Sequence, residues 1–293
     1  MSHRFHNAQY EALPRQIWMY WDQGEAAAPF LVRKGIDSWR SRNPGWEVRV
    51  LDGSFLANNH ELQWLRQKDG MALQQRSDWL RVYLLHEHGG VWADATLYCN
   101  RPLNTWLPDY YSDHFFAFSS NKPDRVMTNW FLAGTRDSQL LQGWHNTMMT
   151  FWQEHEFRQP GYWSRQLLRK LTSLRRRNLV SNNLWFSRFL LDRVKVYPYP
   201  INMYLFEKML DDDTQLTAVW QQRQHLADTQ PEHLQNTLGM NAPATPDSIA
   251  FLRDDTTPVH KLNWRQDKGQ ALPGSNLAIL LQQAQAAELA DHG

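Results

Sequence analysis

Cysteine is nearly absent from this chain: Cys99 stands alone among 293 residues. An internal disulfide framework is therefore excluded, and a reducing compartment fits. No apolar run approaches the roughly 20 residues that a membrane span requires. The stretch Met1–Glu11 is polar and lacks the apolar core of a secretory signal. A soluble, cytoplasmic protein is the expectation. An excess of one charge is also lacking. Lys and Arg number 31 against 30 Asp and Glu, a net charge of +1, which gives no general case for nucleic-acid binding. No internal repeat is visible.

What the chain has in excess is tryptophan. Fifteen Trp, with 13% aromatics, lean toward a ligand with stackable faces, such as a nucleobase or a sugar. Most of them are nonetheless expected to pack in the core. The first elements read as strand, helix, strand. Gln16–Trp21 is a short buried strand, Pro29 opens a helix running to about Arg42, and Glu47–Leu51 is a second strand. That order predicts a parallel, Rossmann-like α/β unit. Residues 1–13 look like a loose leader. Residues 60–88 read as helix in two pieces broken near Asp69-Gly70, and Gly89-Gly90 ends the second piece. Val91–Cys99, Phe115–Ser119 and Asn129–Ala133 are further strands, and Val194–Tyr199 a late one. Residues 138–156 and 205–240 look helical, 241–249 is a polar, proline-containing stretch, Phe251–Trp264 is irregular or short strand, and 275–290 is a terminal helix.

The segment Ser77–Thr96 carries the chemistry. On a helix Asp78 and Arg81 share a face. The strand after the two glycines runs out at Asp94, and carboxyl ends of strands are where α/β sheets hold ligands. An acid, a guanidinium and a second acid converging there suit a sugar nucleotide: carboxylates accept from hydroxyls and Arg donates to oxygens. On spacing alone, a purely structural Asp78–Arg81 pair with Asp94 as a turn residue fits at least as well.

The string SDWLRVYLLHEHGGVWADA resembles the signature of the capsular polysaccharide synthesis glycosyltransferases. It is also similar to the sugar transferases with an Asp-x-Asp motif that include yeast mannosyltransferases and clostridial glucosylating toxins. The register matches at Ser77, Asp78, Arg81, Gly89, Gly90, Trp92 and Asp94. The opening strand with Trp21, the middle strands at 115–118 and 129–133, and Val259–Leu262 are similar as well, so the resemblance spans about residues 14–264. It implies a GT-A fold: one catalytic domain over 1–293, with a Rossmann-like nucleotide-sugar-binding half at 14–135 and a helical, acceptor-side half at 136–264. It implies that Trp21 stacks on the base with Tyr20 nearby. Ser77, Asp78 and Arg81 would hold the donor, and Asp94 and Thr96 would contact ribose, sugar or a metal-bound water. His260 and Lys261 would face the diphosphate. Asn129, Asn183 and Trp185 are the acceptor-side candidates, with ordinary capping and packing as their other reading.

One position departs from the broad pattern. The motif reads Asp94-Ala95-Thr96, and Thr is a weak metal ligand. Either Mg²⁺ or Mn²⁺ binds through Asp94, His260 and the diphosphate, or cationic side chains replace it. The resemblance implies a UDP-sugar donor, a bacterial surface glycan or lipid-linked acceptor, and retention of configuration. Two other functions fit the same residues: a non-catalytic nucleotide-sugar or glycan binder, and a sugar-phosphate transferase. Residues 158–177 hold seven basic and no acidic residues. Their two readings are a solvated helix face and peripheral contact of 165–177 with the inner face of the cell membrane. Asp211-Asp212-Asp213 reads as a helix-capping turn.

Overall fold

Runs of Val, Ile, Trp, Tyr and Phe bounded by Gly, Pro and Asp form the strands, because such side chains pack well on a pleated, half-buried surface. The computed structural model describes residues 7–282. Its strands are β1 (Gln16–Tyr20), β2 (Glu47–Leu51), β3 (Gly90–Ala93), β4 (Leu97–Cys99), β5 (Phe115–Ser119), β6 (Met127–Gly134) and β7 (Val259–Lys261). Its longest described helices are α1 (Phe30–Arg42), α2 (Leu73–His88), α3 (Gln139–Glu154), α4 (Tyr162–Arg176) and α5 (Ile201–Asp212). Among the described residues, no helix is long and apolar enough to cross a membrane.

Five strands make one mixed sheet in the order β2-β1-β3-β6-β5. Strand β1 is parallel to both β2 and β3, while β6 is antiparallel to β3 and β5. The expected α/β class, with helical additions on a mixed sheet, is what the chain forms. Both faces of the sheet are covered. Trp18, Tyr20 and Trp92 point into a core shared with α2, α3 and α5, and Ile17, Met19, Val91 and Ala93 point into a second core shared with α1. This alternation is the period-two pattern of a strand, hidden in the sequence because both faces are apolar.

Two features position the end of β3. Gly89 and Gly90 have φ of +67° and +107°, a region open to glycine, and they turn the chain from α2 into β3. Gly35 on α1 lies beneath the residues that follow β3. A Cβ there would stand 2.8 Å from the Ala95 carbonyl oxygen and 2.9 Å from that of Leu97.

Several expectations need correction. Val91–Cys99 is two strands. Asp94 accepts from the Leu97 amide at 2.8 Å, making a tight turn, and β4 then leaves the main sheet to pair antiparallel with β7. Val194–Tyr199 is not a strand. Phe189–Val194 is a wide helical turn, Lys195 has φ +54°, and Pro198 and Pro200 have no N–H to give to a ladder. In the leader, Ala8–Glu11 is a short helix capped by Asn7, with Tyr10 buried. Residues 246–253 form a helix that spans the end of the polar, proline-containing stretch 241–249 and the start of Phe251–Trp264, expected to be irregular or short strand. Residues 276–282 of the expected terminal helix are helical, and 283–290 lie outside the described residues. Asp213 does cap a helix, accepting from the amides of Gln215 and Leu216.

Candidate active site

Parallel strands end side by side, so β1 and β3 deliver Trp21 and Asp94 to the same edge of the sheet. A cleft of about 490 Å³ opens there, within the usual range for small-molecule sites. Tyr20, Trp21 and Asp22 border it from β1. Ser77, Asp78 and Arg81 border it from α2, and Asp94, Ala95 and Thr96 from the turn after β3. Lys261 borders it from the end of β7 and Trp264 from the turn beyond.

At its base lies a chain of alternating charges. Arg81 contributes Nη2 to Asp78 Oδ1 at 2.9 Å and to Asp94 Oδ1 at 3.2 Å. Its Nη1 donates to the Asn129 carbonyl, and its guanidinium lies 5.1 Å from the centre of the Trp92 ring. Lys261 Nζ donates to Asp94 Oδ2 at 3.0 Å and to Thr96 Oγ1 at 2.6 Å. Trp92 and Asp94 are two apart on an extended segment and share a side, so the indole N–H reaches Asp94 Oδ1 at 3.0 Å. Asp94 is thus held on three sides in one orientation.

The two acids feel opposite pressures. Burial pushes the Asp78 carboxyl above the ordinary range; the Asp94 charge adds to that push and Arg81 opposes it. Burial also acts to raise Asp94, but Lys261 and Arg81, together with the Trp92 N–H, outweigh it and hold this carboxyl below the ordinary range. Asp94 is therefore the stably ionised member. The Lys261 ammonium has three donors; among the described residues two go to Asp94 and Thr96, which leaves one for a ligand. Arg81 is 5% exposed and acts mainly as a brace between the two carboxylates.

Part of the lining is aromatic. Trp21 meets Trp264 edge-on, with ring centres 5.7 Å apart. Tyr20 donates its hydroxyl to Asp22 Oδ1 at 2.5 Å. The two indoles, set at 82° to each other, line the same cleft as the charged groups, an arrangement that can take a ring against an indole face and an anion beside the cations.

The expected site residues divide. Tyr20, Trp21, Ser77, Asp78, Arg81, Asp94, Thr96 and Lys261 come together around the cleft. His260 does not join them. Successive residues of a strand point to opposite sides, so Lys261 enters the cleft while the His260 ring is fully buried, 5.9 Å from Phe251. Asn129 adjoins the site through its carbonyl, which accepts from Arg81. Asn183 is exposed elsewhere, and Trp185 is buried and stacked on Tyr204 at 5.8 Å; neither borders the cleft.

This donor set does not fit a cage built by the protein for a divalent cation. Asp94 has both oxygens engaged by cations, and His260 does not reach it. Among the described residues, no group of three or more His, Cys, Asp or Glu converges in a way that could hold a metal ion.

Two contributors escaped the sequence reading. Asn202, 124 residues from Asp78, offers Nδ2 to Asp78 Oδ2 at 3.4 Å and is itself fixed by the Trp152 indole at 3.0 Å. Its spacing carries no local signal. Trp264 lies three residues beyond Lys261 in a short turn capped by Asn263, and the Trp surplus was its only hint.

Comparison with known proteins agrees with the motif. A family model described as capsular polysaccharide synthesis protein matches residues 1–179. Glycosyltransferase afumC of Aspergillus fumigatus is 32% identical over 158 residues, covering 47% of this chain and 40% of that protein. Probable glycosyltransferase FCK3 of Fusarium pseudograminearum is 26% identical, over 47% of this chain and 39% of its own length. Inositol phosphoceramide mannosyltransferase 1 of Schizosaccharomyces pombe is 25% identical, over 47% and 44%. The matched part of this chain thus spans less than half the length of these curated relatives. Among solved structures, the PaToxG glycosyltransferase aligns with a TM-score of 0.39 at 14% identity, over 72% of this chain and 75% of that one.

Proposed function

The chain belongs to the family of capsular polysaccharide synthesis proteins, and from that membership and the cleft we propose that it is a glycosyltransferase using a nucleotide-sugar donor. One observation carries the reading: Asp94, kept ionised between Arg81 and Lys261, lines the same cleft as the Trp21–Trp264 pair. Relatives named as glycosyltransferases support it.

In this reading the base lies against the indoles and the diphosphate meets the remaining donor of Lys261. Asp94 accepts from a hydroxyl of the donor's ribose or sugar. The bond between the anomeric carbon and the diphosphate oxygen breaks, and its electron pair leaves with the nucleoside diphosphate. The acceptor hydroxyl attacks the anomeric carbon from the same face, giving retention, and its proton passes to the departing phosphate oxygen. Fixed donors aimed at that developing charge carry most of the acceleration; removing one such donor costs about 10²–10³ in kcat. Lys261 is the protein's own answer to the leaving-group charge. The donor is taken as a UDP-sugar and the acceptor as a hydroxyl of a bacterial surface glycan or its lipid-linked precursor.

Thermal shift with UDP-, GDP- and dTDP-sugars tests the site directly, since ligand at about 100 times its Kd adds about 2.7 kcal/mol to the folded state. A rise with a UDP-sugar that is lost in Lys261→Met is expected. No rise with any nucleotide sugar, or one untouched by Lys261→Met, sinks the reading.

A further inference from the structure

The cations of α4 take no part in the cleft. From Phe157 to Leu191 the sequence contains no acidic residue and eight basic ones: Arg158, Arg165, Arg169, Lys170, Arg175, Arg176, Arg177 and Arg188. The helix sorts them. Leu167, Leu168 and Leu171 turn inward against the main core. Arg175 turns inward too, and pairs with Glu207. At 100° per residue, Arg165, Arg169, Lys170 and Arg177 fall with Tyr162 and Trp163 inside an arc of about 160° on the outer side, and all six are exposed. Arg176 shares that arc but leans on Asp124 at 3.5 Å.

The aromatic residues at the start of α4 are not explained by packing. Trp163 is 81% exposed and Tyr162 67%, whereas most of the other Trp are buried. Just past the other end, Leu179 is 60% exposed. Cations along a helix about 22 Å long, with bare apolar side chains at both ends, match one kind of surface. Anionic headgroups accept from the cations, and the boundary just below them accommodates an indole, a phenol and a leucine. A nucleic acid would satisfy the charges and leave Leu179 without an apolar partner.

We propose that the outer face of α4 adsorbs to an anionic phospholipid surface, with Arg165, Arg169, Lys170 and Arg177 on headgroups and Tyr162 and Trp163 seated at the interface. The inner leucines stay on the protein, so binding is peripheral and governed by charge. The inference stands apart from the donor reading, because none of these residues borders the cleft.

Sedimentation with vesicles tests it. The protein pellets with mixed phosphatidylcholine–phosphatidylglycerol vesicles and stays in solution with phosphatidylcholine alone. Each cation near an anionic surface accounts for about a fivefold change in affinity, so the triple variant Arg169→Gln, Lys170→Gln, Arg177→Gln weakens binding roughly 100-fold. Raising salt to about 1 M, where the Debye length falls to about 3 Å, releases the wild-type protein. The double variant Tyr162→Ser, Trp163→Ser also binds more weakly, and both variants melt with the wild type because every altered side chain is exposed. Three results overturn the proposal: no sedimentation with either vesicle, sedimentation that the triple variant leaves unchanged, or soluble heparin or RNA displacing the protein from vesicles through these same side chains with Trp163 indifferent.

Discussion

Arg81 and Arg169 both project from long helices and meet their surroundings in opposite ways. Arg81 is withdrawn from water and bonded to Asp78, Asp94 and the Asn129 carbonyl. Arg169 is exposed, on a segment without an acid. In the cleft, each charge is oriented by its neighbours, so removing one leaves another buried and unpaired. On α4 each charge is solvated and nearly independent of the next. Residue type alone does not distinguish a site from a surface; burial with partners does. A cleft built this way responds sharply to single substitutions, while a charged face responds only to several at once.

The largest break in that contrast is expected at Arg81. Arg81→Ala leaves Asp78 buried beside Asp94 without its cation, costing about 3–5 kcal/mol of stability. Urea unfolding measures this, and transfer should fall by about 10³ or more because Asp94 also loses its brace. A loss below about 1 kcal/mol, as for an exposed pair, would erase the distinction.

His260 sharpens the contrast, being a buried ionisable group with no opposite charge beside it among the described residues. Burial, with a smaller push from His233, lowers its pKa to about 4 from the ordinary 6.5. A depressed histidine stabilises the fold fully above pH 6.5, where both folded and unfolded forms are neutral. That contribution fades as pH falls toward 4, because the unfolded chain takes the proton first. The loss is about 3 kcal/mol. His260→Leu should flatten that part of the curve of urea midpoint against pH; an unchanged slope assigns the acid lability elsewhere.

Gly35 lies under the Asp94 turn. Gly35→Ala drives a methyl into the Ala95 and Leu97 carbonyls, with an expected cost of about 1–3 kcal/mol and a loss of transfer larger than a stability change alone would give. Calorimetry and turnover on the same sample separate the two. The smallest effect belongs to Arg169→Gln, which should shift stability by no more than about 0.5 kcal/mol and leave donor cleavage unchanged.

The sequence was most legible where local chemistry and tertiary demand agree. Strand β2 falls on its expected bounds because Val48 and Val50 stand between the Asn43-Pro44-Gly45 turn and Asp52. The bracing of Asp94 by Arg81 needed the two glycines and a strand, all visible in order. The break at Asp94–Thr96 was only partly legible: Asp94 reads as a strand end, but Ala95 and Thr96 carry no turn signal, and the chain bends there because the distant β7 pairs with β4. The direction of His260 was hidden for a related reason, since a strand of three residues shows no alternation to read. Asn202 is set beside Asp78 only by the folding of α5 against α2. The outward turn of Trp163 is also a tertiary outcome, settled by which side of α4 finds the core.

The central claim is that Asp94 is the oriented, ionised acceptor of a donor site. Release of UDP from a UDP-sugar, compared between wild type and Asp94→Asn, tests it most directly. The account predicts release by the wild type and a drop of about 10²–10³ in the variant with the fold retained by circular dichroism. Near-normal release by a folded Asp94→Asn protein would contradict it.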